Sequence, residues 1–173
     1  MWKNKNIETR LLFTDNEILS QIISASPTII AIDAPFSLPK QGLLRTADRK
    51  MIQQGYKVFP PKLSAMKKLT FRAETLNKLI AEKGYKTIEV HPTSTRKALG
   101  MPAKDYGKIQ EIFKQMRLGG TLKTQKLTAH ELDAVTAALT AHLHIKHETE
   151  AVGDAIEGYI IVPKKQDWRN ITI

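Results

Sequence analysis

Thr28-Ile29-Ile30-Ala31-Ile32-Asp33-Ala34-Pro35 is the stretch on which the fold turns. Its continuous apolar, β-branched run predicts a strand buried on both faces, as in parallel sheets covered by helices. The run stops at Asp33, which places a carboxylate at the carboxyl end of that strand. Lys86-Thr87-Ile88-Glu89-Val90, closed by His91-Pro92, predicts a second central strand. Gly158-Tyr159-Ile160-Ile161-Val162-Pro163 predicts a third, and Ile7 to Phe13 a short one near the start.

Helical patterns fill the spaces between. Thr14-Asp15-Asn16-Glu17 is a capping-box pattern ahead of Ile18, Leu19, Ile22 and Ile23, and Thr128-Ala129-His130-Glu131 is another ahead of Leu132, Val135, Leu139 and Leu143. Further helices are predicted over 46–54, 69–83 and 104–118, the first two followed by Gly55 and Gly84, the last by Gly119-Gly120. Strands alternating with helices predict an α/β layered fold with a largely parallel sheet, in one domain over 1–173.

Composition narrows the function. The 173 residues are 42% hydrophobic and 25% charged, within the ordinary globular range. No apolar run approaches the ~18 residues of a membrane span, and no secretory signal is visible, so no membrane partner and a cytoplasmic location are expected. With no cysteine, thiolate zinc sites and disulfides are excluded. Lys plus Arg outnumber Asp plus Glu by 27 to 17, a net charge of +10, which favours a polyanionic partner such as nucleic acid. No Walker loop, G-x-G-x-x-G or G-x-S-x-G is present, and the missing glycine-rich phosphate loops argue against a small-molecule phosphate-transfer enzyme of the sugar-kinase type.

Three acids stand where α/β sheets place their chemistry: Asp33 and Glu89 near strand ends, Asp133 early in the alanine-rich helix. Carboxylates converging there repel one another unless a hard divalent cation neutralises them. Each has a structural alternative. Asp33 could bond loop amides, Glu89 could face solvent or pair with a lysine, and Asp133 could serve the helix dipole. Glu131 fits capping better, and Asp154 a turn. Arg45 and Arg49, spaced i and i+4, could grip a phosphate, with a salt bridge to Asp48 an equal contender. His91 follows the Glu89 strand, and neither it nor His130 has zinc-type spacing. Lys62, Lys67, Lys68 and Arg72 form a basic stretch around Pro60-Pro61, for which a solvated surface is the plain reading.

Ala31 to Pro39, Arg45 to Arg49, Ile88 to Pro92, His130 to Ala134, Gly153-Asp154 and Glu157-Gly158, taken in order, resemble a prokaryotic family of uncharacterised proteins described as predicted nucleases with an RNase H-like fold. The resemblance implies a ribonuclease H or resolvase type of mixed sheet, five-stranded and flanked by helices. It implies catalysis by Asp33, Asp133 and Glu89, the first two as principal ligands of Mg²⁺ or Mn²⁺. Beside these, Arg45, Arg49 and His91 are expected to bind the substrate. The substrate class implied is DNA or RNA, cut at a phosphodiester. The alternative is a non-catalytic nucleic-acid-binding or scaffolding protein of the same fold. The family's opening strand carries a central aspartate, whereas residues 1–13 contain Glu8 as their one acid. The first β-hairpin is therefore expected to be absent and activity weakened or lost. The Thr28–Ile32 strand then lacks a neighbour, which Ile7–Phe13 or a second copy in a homodimer would have to supply.

Overall fold

The three expected central strands lie side by side, and the helices between them pack on both faces. The computed structural model describes all 173 residues. In chain order the elements are β1 (Trp2–Lys3), β2 (Asn6–Ile7), α1 (Asp15–Ala25), β3 (Ile30–Ile32), α2 (Thr46–Gln53), α3 (Ser64–Glu82), β4 (Thr87–Val90), α4 (Pro92–Ala98), α5 (Tyr106–Gln115), β5 (Gly119–Gly120), α6 (Thr121–Thr124), α7 (Ala129–Ile145), β6 (Thr149–Asp154) and β7 (Gly158–Pro163), with a 3₁₀ turn at Trp168–Asn170.

The main sheet has four strands in the order β3-β4-β7-β6. β3, β4 and β7 are parallel, and β6 returns antiparallel to β7. The sheet is thus mixed α/β, and its fourth strand was not expected from the sequence. In β6 only Val152 is buried, so Thr149-Glu150-Ala151-Val152-Gly153-Asp154 lacks the apolar density of a core strand. A second, small sheet joins β1, β2 and β5.

Side-chain alternation sorts the core. Ile88, Val90 and Ile161 face α7, where Ala137 and Ala141 let the helix approach closely. Ile160, Val162 and Val152 face the other way, onto Ala47 and Met51 of α2. The opposite flank of α7 carries Leu132, Val135, Leu139 and Leu143 into a cluster with Ile109 and Phe113 of α5. α7 therefore sits between the sheet and a helical layer, with small residues toward one and large ones toward the other. Both expected capping boxes are present: Thr14 and Glu17 exchange hydrogen bonds at the start of α1, and Thr128 and Glu131 do so at α7.

The strand at the decisive stretch differs from expectation in one respect. β3 is an edge strand, and Ile30, Ala31 and Ile32 are each half-buried instead of sealed on both faces. The Ile30 N–H donates to the Lys86 carbonyl at 2.9 Å, on the β4 side. In a strand the next residue's groups point the opposite way, so the Ala31 N–H and C=O face a side with no strand. The expected Ile7–Phe13 strand does not cover that edge: only Asn6–Ile7 is extended and paired, with β1 and β5.

The β6–β7 hairpin is tied to the loop after β3. Asp154 takes the turn role expected of it, accepting hydrogen bonds from the backbone N–H of Ile156 and Glu157 at 2.9 and 2.8 Å. Glu157 reaches across to accept from the N–H groups of Lys40 and Thr46, both at 2.7 Å. Gly153 in β6 has φ +149°, and a Cβ there would lie 2.1 Å from the Gly158 carbonyl oxygen. Gly153→Ala is expected to destabilise the fold by about 3 kcal/mol, through backbone overlap and a disfavoured φ. Urea unfolding checks this, and a midpoint equal to wild type would contradict the hairpin geometry.

Candidate active site

The parallel register of β3 and β4 aligns Ile32 with Glu89. Alternation then separates the acids. Glu89 shares a face with Ile160, toward α2. Continued by one residue, the alternation puts Asp33 on the face of Ala31 and Val90, toward α7. Asp133 lies on α7 in its second turn. Asp33, Glu89, His91 and Asp133 all line one cleft of about 210 Å³ at the carboxyl ends of the strands. They line it from different sides of the sheet.

Glu89 is 4% exposed and fully occupied. Its oxygens accept from Arg45 Nη1 at 2.8 Å and Nη2 at 2.6 Å, and from the Phe36 N–H at 2.8 Å. Arg45, 1% exposed, also donates to both oxygens of Asp48, from Nε at 3.1 Å and Nη2 at 2.9 Å. Burial pushes the Glu89 carboxyl up, while the two Arg45 bonds pull it back. Burial also works against the Arg45 charge, but its bonds to Glu89 and Asp48 win and raise its pKa. A guanidinium keeps its proton at any ordinary pH, so the group stands as a buried ionic triad.

This arrangement corrects two expected roles. Arg45 is 1% exposed and spends four of its five N–H donors on Glu89 and Asp48, so the salt bridge to Asp48 is the alternative realised, in place of a phosphate grip. Glu89 binds an arginine and a loop amide, which makes it a structural residue of the cleft floor. Arg49 is exposed and donates to the Leu44 carbonyl at 2.7 Å and to Thr46 Oγ1 at 3.1 Å. It lies outside the cleft lining.

Asp133 is partly exposed, at 26%, and its Oδ1 accepts from Arg96 Nη1 at 2.6 Å. Arg96, in α4, is 1% exposed. It donates further to the Ala103 carbonyl at 3.0 Å and to Thr136 Oγ1 at 3.2 Å. Sequence reasoning missed Arg96. The available signal was Pro92, whose fixed φ suits the first position of a helix and so announces α4 directly after the β4 strand. His91 places Nδ1 2.7 Å from Ser94 Oγ. Burial, then the Arg96 charge, lowers its pKa, so the ring is neutral at pH 7.

Asp33 differs from its neighbours. It makes no hydrogen bond and no ion pair, although it opens to solvent through the cleft mouth. Protein atoms crowd its other sides. Lost hydration against those walls, then repulsion from Asp133, push its pKa up to about 7; Glu89 adds to the rise and Arg96 opposes it. The cleft therefore holds one uncommitted carboxyl, Asp33, and one half-committed carboxylate, Asp133. No group of three or more His, Cys, Asp or Glu side chains converges on a metal-sized site. A roomier cavity of about 280 Å³ lies between residues 7–12 and α7; of its two acids, Glu131 already accepts hydrogen bonds from Thr9 and Thr128, and Glu8 is exposed.

No protein-family model, curated protein or solved structure matches this chain.

The Asp33 shift has a signed consequence for stability. An unfolded aspartate titrates near 3.9, so with a folded value of about 7 the native state binds more protons in between. Stability from this group is lost as pH rises from about 4 through about 7. Without divalent cations, Asp33→Asn is expected to melt higher than wild type at pH 8, and the gap is expected to close toward pH 4. Thermal unfolding across that range checks it; parallel curves for the two proteins would contradict the shift.

Proposed function

We propose that this protein is a divalent-metal-dependent nuclease of RNase H-like architecture, with Asp33 and Asp133 as its working carboxylates. The observation that carries the reading is the convergence of these two acids at the carboxyl end of a parallel strand pair, with Asp33 left unpaired and raised to about 7. An acid held so far from its ordinary value in a cleft is a mark of a functional group.

The donor set suits Mg²⁺ or Mn²⁺. Both prefer oxygen, and Mg²⁺ characteristically takes one or two carboxylates and fills its remaining positions with water and substrate phosphate. The free Asp33 carboxyl and the second oxygen of Asp133 are the groups that would hold the ion. The chemistry available from such an ion is charge neutralisation and Lewis acidity at a phosphodiester. The chain's own residues do the rest. Arg96 fixes the Asp133 carboxylate. Arg45 holds the cleft floor by pairing with Glu89, and Glu89 in turn anchors the Phe36 N–H of the loop that follows Asp33. Neutral His91 can give or take a proton at its second ring nitrogen, which makes no hydrogen bond within the protein.

A second reading, binding of nucleic acid without cleavage, draws on a specific observation. Glu89 is spent on Arg45, so only two acids stand where the family pattern implies more. One experiment separates the two. Labelled DNA and RNA, single-stranded and duplex, are incubated with millimolar Mg²⁺ or Mn²⁺. The nuclease reading expects cleavage that EDTA stops and that Asp33→Asn or Asp133→Asn lowers about a hundredfold or more. It also expects either cation to raise the melting temperature of wild type and not of Asp33→Asn. Binding with no cleavage and no cation shift supports the second reading and overturns the first.

The free edge of β3 supports association of two copies. Antiparallel pairing about Ala31 would satisfy the outward N–H and C=O of each chain. Light scattering at micromolar concentration is expected to give a dimer. Ala31→Pro, which removes the outward donor and leaves the β4-facing groups of Ile30 and Ile32 in place, is expected to give monomers. A wild-type monomer would refute the pairing.

A further inference from the structure

Between Asp48 and Glu74 the chain carries seven basic residues and no acid. Three of the seven are committed. Arg49 donates to the Leu44 carbonyl, Lys50 to the Gly153 carbonyl, and Arg72 to Asp15. Lys57, Lys62, Lys67 and Lys68 have no hydrogen bond or ion pair, and Lys67 merely lies over the Phe71 ring at 5.6 Å. This segment therefore supplies a large share of the uncompensated positive charge, and its Val58, Phe59, Met66 and Leu69, sequence neighbours of those lysines, line the carboxylate cleft.

Phe59 falls between Lys57 and Lys62 in the chain and is 69% exposed. It is also a wall of the cleft that holds Asp33 and Asp133, beside Met66 and Leu69 of α3. Its position at the rim of the cleft, with most of the ring in water, leaves a π-face open to a ligand that enters there. The backbone there is stiff. Pro60 and Pro61 fix their own φ, and a residue ahead of proline is held to extended backbone, so Phe59 is presented with little conformational freedom to lose on binding. Phe71 is not part of the same wall. It follows Leu69 by two residues on α3, about 200° around the helix from the cleft.

We propose that Phe59 and the lysines around it form a platform for an unpaired nucleic-acid strand, one base stacking on the phenyl ring while the phosphates run along Lys57, Lys62, Lys67 and Lys68. This rests on the reading of the cleft as a phosphodiester site and specifies its substrate as single-stranded. The chemistry favours a single strand over a duplex because a paired base has no free π-face for Phe59 to meet. It favours nucleic acid over an anionic membrane because a base can stack on the Phe59 ring at the rim of a cleft read as a phosphodiester site, whereas a lipid headgroup lying flat on the lysines would leave both the ring and the cleft unused. Stacking on a ring accepts any base, so little sequence preference is expected.

The test is fluorescence anisotropy on the full chain with EDTA present, so that cleavage does not interfere. The probes are labelled oligothymidylate of 12 nucleotides, the same strand annealed to its complement, and phosphatidylglycerol vesicles. Tighter binding of the single strand is expected. Phe59→Ala is expected to weaken it about tenfold with an unchanged salt slope, and Phe59→Trp to preserve it. The double variant Lys62→Gln, Lys68→Gln is expected to reduce the slope of log K against log salt by about 1.4. Circular dichroism melts confirm that these surface variants fold. Equal or tighter binding of the duplex, no effect of Phe59→Ala, or binding of vesicles in place of the oligonucleotide overturns the proposal. The two readings fail separately. Phe59-dependent binding without cleavage in Mg²⁺ removes the nuclease alone, and cleavage indifferent to Phe59 removes the platform alone.

Discussion

A carboxylate taken out of water must be paired, and two buried arginines meet most of that demand here, one on each side of the main sheet. Arg45 gathers Glu89 from β4 and Asp48 from α2, and Arg96 gathers Asp133 from α7. Removing one member of such a pair strands a charge and typically costs about 3–5 kcal/mol, so each arginine fixes the relative positions of elements far apart in sequence. Asp33 falls outside both arrangements. It lies one residue beyond the last paired position of an edge strand and is exposed at the cleft mouth, where water takes the place of a partner.

The division of labour among the acids follows from strand geometry. Successive side chains point to opposite faces, so Glu89 and Asp33 diverge even though their strands are neighbours. On the α2 side the acid meets a buried arginine and becomes structural. On the α7 side the acid meets another acid, and the electrostatic strain stays in the cleft. The same alternation gives α7 its two characters, with Ala137 and Ala141 against the sheet and Leu132, Leu139 and Leu143 against the helical layer.

Much of the scaffold was legible from residue order. The three parallel strands, the two capping boxes and the placement of Asp33 and Asp133 in one cleft follow from apolar runs and their terminators. What the sequence hid has physical causes. β6 carries one buried side chain, so no periodicity marks it. The pairs Trp2–Lys3, Asn6–Ile7 and Gly119–Gly120 are too short to have a period at all. The position of β3 at an edge depends on which strands pair, a non-local fact that leaves no trace in Thr28–Ile32 itself. Arg45 read equally well as a phosphate ligand or an ion-pair partner, because a guanidinium suits both. Only the burial of Glu89 opposite it decides.

The one-sided tethering of β3 reaches further than the sheet. Its inner backbone groups are held by β4 and its outer ones are free, so this strand has about half the ladder of a central one and is among the first parts of the sheet to open locally. Asp33 rides on its end, whereas Asp133 is fixed to a long helix packed on both flanks. The separation of the two carboxylates is therefore governed by the less anchored partner. Any chain that added itself to the outer edge would stiffen β3 and, through it, the distance across the cleft. By thermodynamic reciprocity, a cation drawing the two aspartates together would strengthen that same edge pairing.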